Sequence, residues 1–243
     1  MNPFTTIPKF IQGYNAARAY NSKWIKFERL RSAKDIAGER EAIRLGQLKF
    51  AETIADKLNI NIDISGEEHI PTDRPFMLYS NHQSFADIPC LCYAVCRKCQ
   101  LGFISKSEWS KYQIMRDAVN YTRSVFIDRG NPREAMRAVA KVKELLDMGF
   151  NLAIFPEGTR SKCHDMREFK PGAFKFAEKG KVPVLPVTID GGYKLYEEKG
   201  SYQPCTVKIV FHPLVHLEDM DKHQQKEAAV EIEQTIKSAL ENQ

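Results

Sequence analysis

Ile60, Ile62 and Ile64 alternate with polar residues, the two-residue period of a half-buried strand. Further apolar runs of strand length fall at 76–80, 102–104, 124–127, 151–155, 184–189 and 206–211. Between several of them the period lengthens to that of a helix, at 88–98, 107–120, 132–148 and 172–179, and a last amphipathic helix at 223–241 turns Ile232, Ile236 and Leu240 inward. Pro132 sits just inside one helix start and Gly149 just past its end, the usual asymmetry of helix termini. Pro183 and Pro186 predict that the strand around 182–189 is an edge or irregular strand, because proline cannot donate to a ladder. Its apolar residues serve either as core or as the lining of a tunnel. Asp190-Gly191-Gly192-Tyr193 reads as a turn.

Residues 4–58 read as helical. Ile7, Phe10, Ile11 and Tyr14 keep the i, i+3, i+4, i+7 spacing, as do Ala51, Ile54, Ala55 and Leu58, and Gly38 is expected to mark a break or bend. Two units follow, a helical, basic, amphipathic segment over 1–58 and an α/β domain over 59–243. Strands alternating with helices predict an α/β fold, with a mixed, largely parallel sheet flanked by helices.

Hydrophobic content of 43% with 28% charged residues is ordinary for a globular chain. The net charge of +5 is uneven: residues 1–34 sum to +6, leaving −1 for the rest. That argues against a nucleic-acid binder, which needs a broad basic surface. Lys and Arg interleaved with Trp24, Ile25 and Phe27 suit an anionic membrane interface; the alternative is packing on the domain with the cations solvated. The longest uncharged run near the middle, Pro75 to Ala86, has 12 residues, short of the ~18 a membrane span needs. Lys9, Arg18 and Lys23 break up any leader-like stretch, so the expected location is cytoplasmic, peripheral to the cytoplasmic face of a membrane. Cys90, Cys92, Cys96 and Cys99 read better as buried thiols on an apolar helix face than as a zinc site, whose ligands usually come as two separated pairs.

Four polar clusters follow strand ends, where active residues of α/β sheets collect. Asn81-His82-Gln83-Ser84-Phe85-Ala86-Asp87 holds an imidazole and a carboxylate five positions apart. On one ideal helix they would point roughly 140° apart. They meet if His82 lies in a turn and Asp87 at a helix start, a placement that Pro89 tolerates in a first turn. Histidine oriented by a carboxylate is the usual arrangement for taking a proton from a weak nucleophile. Pro156-Glu157-Gly158-Thr159-Arg160-Ser161 suits an anion: Gly158 lets backbone approach, Thr159 offers a hydroxyl and Arg160 a planar fork. Lys106 and Arg129 add cations at neighbouring strand ends, so together these clusters point to a phosphate-bearing substrate.

In order and spacing, the blocks Asn81–Asp87, Val125–Arg129, Phe155–Ser161 and Val182–Val187, with Phe103-Ile104-Ser105-Lys106 between the first two, resemble the glycerolipid acyltransferases, specifically the 1-acyl-glycerol-3-phosphate acyltransferases. The resemblance covers about residues 60–212 and leaves out the N-terminal arm, where many members begin with a transmembrane helix. It implies that His82 is the general base for the sn-2 hydroxyl of lysophosphatidate and that Asp87 holds its imidazole. It implies an acyl thioester donor, acyl-CoA or acyl carrier protein, with no cofactor and no metal. Lys106 and Arg160 would clamp the phosphate; Arg129 would join them or hold the site by ion pairing. Glu157 would bind near the glycerol hydroxyl or brace its loop. The oxyanion would face backbone N–H groups near 82–84 or 158–159. The same chemistry on glycerol-3-phosphate, another lysophospholipid or an amino-lipid is the near alternative, and a non-catalytic anionic-lipid module the distant one.

Overall fold

The computed structural model describes residues 8–9, 11–15, 18–19 and 24–241, with side chains from Glu28 onward in the first long helix. Ile7, Phe10 and the side chains of Trp24, Ile25 and Phe27, on which the expected membrane face depends, lie outside these. Helix α1 (Trp24–Ser32) is followed after a short turn by α2 (Ile36–Lys57). The break falls at Ala33–Asp35 rather than at Gly38. Asp35 caps α2 and its Oδ1 accepts the Gly38 amide at 2.9 Å. A Cβ at Gly38 would stand 2.2 Å from the other carboxylate oxygen, so the glycine serves the cap.

Seven strands form one sheet: β1 (Ile60–Ser65), β2 (Met77–Ser80), β3 (Gly102–Lys106), β4 (Val125–Ile127), β5 (Leu152–Ile154), β6 (Val184–Asp190) and β7 (Cys205–Phe211). Their order is β1-β7-β6-β2-β5-β3-β4, parallel throughout except for the β6–β7 pair. The C-terminal ends of β2, β3, β4 and β5 therefore lie at one edge of the sheet. Alternate residues feed two cores. Met77, Tyr79, Leu152 and Ile154 pack with α5 (Pro132–Asp147), α6 (Lys175–Gly180) and α7 (Lys222–Glu241). Phe76, Leu78, Ala153 and Phe155 pack with α3 (Asp87–Val95) on the other face. Cys90, Cys92, Cys96 and Cys99 are buried free thiols in that second core. Helix α2 gives Ile43 to one core and Ala51 and Ile54 to the other, while buried Gln47 bonds both the N–H and the C=O of Leu101.

Two further expectations are corrected. Strand β6 is central and buried along its whole length, not an edge. Its ladder survives Pro186 because a residue's N–H and C=O point to the same neighbour. The Pro186 carbonyl accepts from His212 N, so the missing amide faces the position just past the end of β7 and leaves the β2 side intact. The single helix expected at 107–120 is a 3-10 turn (Ser107–Lys111) and then α4 (Gln113–Tyr121), separated by Tyr112 in extended conformation. Ser107 and Ser110 favour turns over helix interior.

On the N-terminal side, Arg31 of α1 pairs with buried Glu39 at 2.8 Å and donates to the side chain and carbonyl of Asn120, so this cation of the basic arm is spent on packing. Among the described residues no helix is long and apolar enough to cross a membrane.

Candidate active site

The β2–α3 connection places His82 in the turn and Asp87 as the first residue of α3, with Pro89 in its first turn. His82 Nδ1 lies 2.7 Å from Asp87 Oδ2, which also accepts the amides of Gln83 (2.7 Å) and Ser84 (2.8 Å). An oxygen already holding two N–H donors accepts again from Nδ1–H, which leaves Nε2 as the basic lone pair. Among the described residues Nε2 has no hydrogen-bond partner. Asp87 is fully buried, at the end of a helix where the dipole favours negative charge. The imidazole stacks on Phe155, ring centroids 3.9 Å apart and planes within 12°. A Cβ at Gly192 would stand 2.6 Å from Asp87 Oδ1, so the 190–193 turn also walls the carboxylate.

Glu157 is buried and joins two loops: Oε1 accepts the His82 amide at 2.6 Å and Oε2 the Arg167 amide at 2.9 Å. Ser161 N donates to the His82 carbonyl at 2.7 Å, so the segment after β5 runs directly beside the histidine. Burial pushes the Glu157 carboxyl up to about 7, the two amides oppose the rise and nearby Asp87 adds to it. An unfolded glutamate titrates near 4.5. Between these values the unfolded chain has released a proton that the folded chain retains. The resulting stability is full below pH 4.5, is lost as pH rises through about 7, and is constant above. Glu157→Gln lacks this term. The difference in urea midpoint between wild type and variant should therefore fall from pH 4.5 to 7, and parallel pH curves would contradict the assignment.

Lys106, Arg129, Glu157, Gly158 and Thr159 border a cleft of about 1020 Å³. Gly158 has φ +76°, and a Cβ there would meet Arg129 Nη1 at 1.7 Å and Lys170 Cε at 3.2 Å, so two cations lie across this glycine. Among the described residues Lys106, Arg129 and Lys170 have no ion-pair partner. His82 and Asp87 are not among the residues that border this cleft, and Glu157, bonded to the His82 amide, links the pair to it; Arg160 does not border it either. It pairs with Glu197 at 3.0 Å and lies 3.4 Å above the Phe85 ring. Of the amides considered for an oxyanion, those of 82, 83 and 84 are spent on carboxylates and that of Gly158 on the Phe155 carbonyl; among the described residues the Thr159 amide has no acceptor.

Sequence reading missed Glu197 and Lys170, and it read Gly192 as a turn residue without its contact with Asp87. Glu197 sits in a charged stretch, Tyr196-Glu197-Glu198-Lys199, that looks solvated, and nothing local marks its contacts with residues 84, 85 and 160. Lys170 carried a readable signal, a cation beside Pro171-Gly172 at the end of the anion-suited loop.

Residues 61–190 match the acyltransferase family. The chain is similar to "1-acyl-sn-glycerol-3-phosphate acyltransferase LPAT1, chloroplastic" of Arabidopsis thaliana, 35% identical over 162 residues that make up 64% of this chain and 44% of the relative. A "probable 1-acyl-sn-glycerol-3-phosphate acyltransferase" of Mycoplasma genitalium is 32% identical over 63% of this chain and 61% of its own. The human alpha enzyme of the same name is 28% identical over 62% and 54%. The match thus spans about half the length of most of these curated relatives. Among solved structures, the crystal structure of the 1-acyl-sn-glycerophosphate (LPA) acyltransferase PlsC from Thermotoga maritima superposes with a TM-score of 0.80 at 27% identity, over 100% of this chain and 97% of that one.

Proposed function

The chain belongs to the acyltransferase family, and from that premise we propose that it transfers a fatty acyl group from an acyl thioester to the sn-2 hydroxyl of 1-acylglycerol-3-phosphate, giving phosphatidate. The observation that carries this reading is the 2.7 Å His82–Asp87 pair, its Nε2 without a partner among the described residues, tied through Glu157 to a cleft whose border includes Lys106, Arg129 and Lys170. The names of the similar proteins support the choice of acceptor.

In this mechanism His82 Nε2 takes the acceptor's hydroxyl proton as the oxygen attacks the thioester carbonyl. Asp87 stabilises the imidazolium that forms. The carbonyl oxygen becomes an oxyanion, and the Thr159 amide is the donor proposed for it. Collapse breaks the C–S bond, His82 returns its proton to the sulfur, and a free thiol leaves. Acyl-CoA and acyl carrier protein both supply such a thioester. Proton transfer is worth roughly 10²–10⁴-fold, so positioning and oxyanion stabilisation supply much of the rest. Glu157 acts as a brace, since both its oxygens are spent on amides that hold the loops of His82 and Arg167 together.

The acceptor phosphate is held in the cleft by Lys106 and Arg129, with Lys170 beside them. A charge-assisted hydrogen bond is worth about 1.5–3 kcal/mol. Lys106→Ala and Arg129→Ala should each raise the KM for lysophosphatidate by roughly 10–100-fold, leaving the KM for the thioester unchanged. Steady-state kinetics with each substrate varied in turn checks this, and an unaltered acceptor KM in both variants would remove the clamp.

A further inference from the structure

Three residues between His82 and Asp87, Gln83 to Phe85, are held by two carboxylates, and Ser84 is held by both. On one side Asp87 Oδ2 takes the amides of Gln83 and Ser84. On the other, Glu197, more than 100 residues further along the chain, reaches in with a side chain only 4% exposed. Its Oε2 accepts the Ser84 hydroxyl at 2.8 Å, and its Oε1 accepts the Phe85 amide at 3.2 Å. The Ser84 oxygen in turn accepts the Ala86 amide at 3.1 Å. Oε1 also receives Arg160 Nη1 at 3.0 Å, and the guanidinium lies over the Phe85 ring. Both carboxylate oxygens are therefore spent on the turn that shapes the His–Asp pair or on the cation that covers it.

We propose that Glu197 is a positioning residue for the His82–Asp87 pair, with Arg160 as the lid of the same clamp. A carboxylate is required here for a physical reason. Glu197 accepts a hydroxyl on one oxygen and a backbone amide on the other while balancing a guanidinium, and a neutral amide offers one acceptor oxygen and no charge. Removing it leaves the Phe85 amide and the Ser84 hydroxyl without acceptors and frees Arg160, so the turn gains freedom one residue from the amides that fix Asp87. A displacement of the base by about 1 Å costs up to roughly 10²-fold in rate with little change in substrate affinity.

The proposal rests on the acyl-transfer reading, and its test separates the two. In the full chain, Glu197→Ala should lower kcat by about tenfold to 10²-fold, with the KM of donor and acceptor within about twofold of wild type. Glu197→Gln keeps an acceptor for the Phe85 amide and a donor for the Ser84 oxygen but cannot balance Arg160, and should recover only part of that kcat. Arg160→Ala should lower kcat in the wild-type background and have no further effect in Glu197→Ala, the signature of residues acting as a unit. Should Glu197→Ala not fold, Ser84→Ala removes one arm of the clamp alone and should lower kcat in the same manner. A readout without turnover is the downfield Nδ1 proton of His82 in an NMR spectrum of histidine-labelled protein, which should broaden or vanish in Glu197→Ala. Wild-type kcat in both Glu197→Ala and Ser84→Ala, or an Arg160→Ala variant that raises only the acceptor KM, would overturn the proposal. A wild-type protein inactive on every thioester and acceptor would instead remove the acyl-transfer reading and leave the NMR signal to decide the clamp.

Discussion

His82→Ala is expected to lower acyl transfer by 10²–10⁴-fold or more while the protein stays folded. The imidazole supplies the only basic lone pair in the proposed reaction, and among the described residues no other histidine touches Asp87. The two backbone bonds that tie this position into the site, His82 N to Glu157 and Ser161 N to the His82 carbonyl, do not involve the side chain. What the substitution removes structurally is the stack on Phe155, worth about 0.5–1.5 kcal/mol for an aromatic pair, and the Nδ1–H bond to buried Asp87, worth about 1.5–3 kcal/mol, at a side chain that is 16% exposed. Initial rates and a urea curve on the same preparation separate the two effects. Turnover within tenfold of wild type would mean that another group takes the proton.

Asp87→Asn is expected to cost a comparable factor, about 10²–10⁴ in kcat, with a nearly unchanged fold. The asparagine carbonyl can sit where Oδ2 does and still accept the Gln83 and Ser84 amides and His82 Nδ1–H. What disappears is the negative charge that stabilises the imidazolium in the transition state. Asp87→Ala goes further. It strands two buried amides, each at about 1–3 kcal/mol, and should lower the denaturation midpoint as well as kcat. If the Asp87→Asn variant were nearly as active as wild type while Asp87→Ala only destabilised the protein, Asp87 would be a helix-start and turn residue alone.

Much of this architecture can be read in the chain before folding. Alternating strands and helices identify the α/β class, because periodicity is local and each element writes its own. The His82–Asp87 spacing demands a turn into a helix, and the structure places the two residues so. What the sequence hides is non-local. Pro186 looks disqualifying for a central strand until the neighbour strand is known to end beside it. Gly38 reads as a helix breaker until Asp35 is seen to need the room. Arg160 reads as a free cation in its loop, yet it pairs with a carboxylate 37 residues further on. Side chains leaving consecutive loop positions diverge, and no spacing rule says which faces substrate and which faces the scaffold.

Whether this chain joins a thioester-borne acyl group to lysophosphatidate, with His82 as the base, is decided by mass spectrometry of its products. Purified wild type and His82→Ala are each given an acyl-CoA or acyl carrier protein thioester against lysophosphatidate, glycerol-3-phosphate, a neutral lysophospholipid and an amino-lipid. The expected result is phosphatidate and free thiol in equal amounts from wild type with lysophosphatidate, little product from the other acceptors, and none above background from the variant. Preferred acylation of a different acceptor, no transfer from either donor, or phosphatidate formed equally by the variant would contradict it.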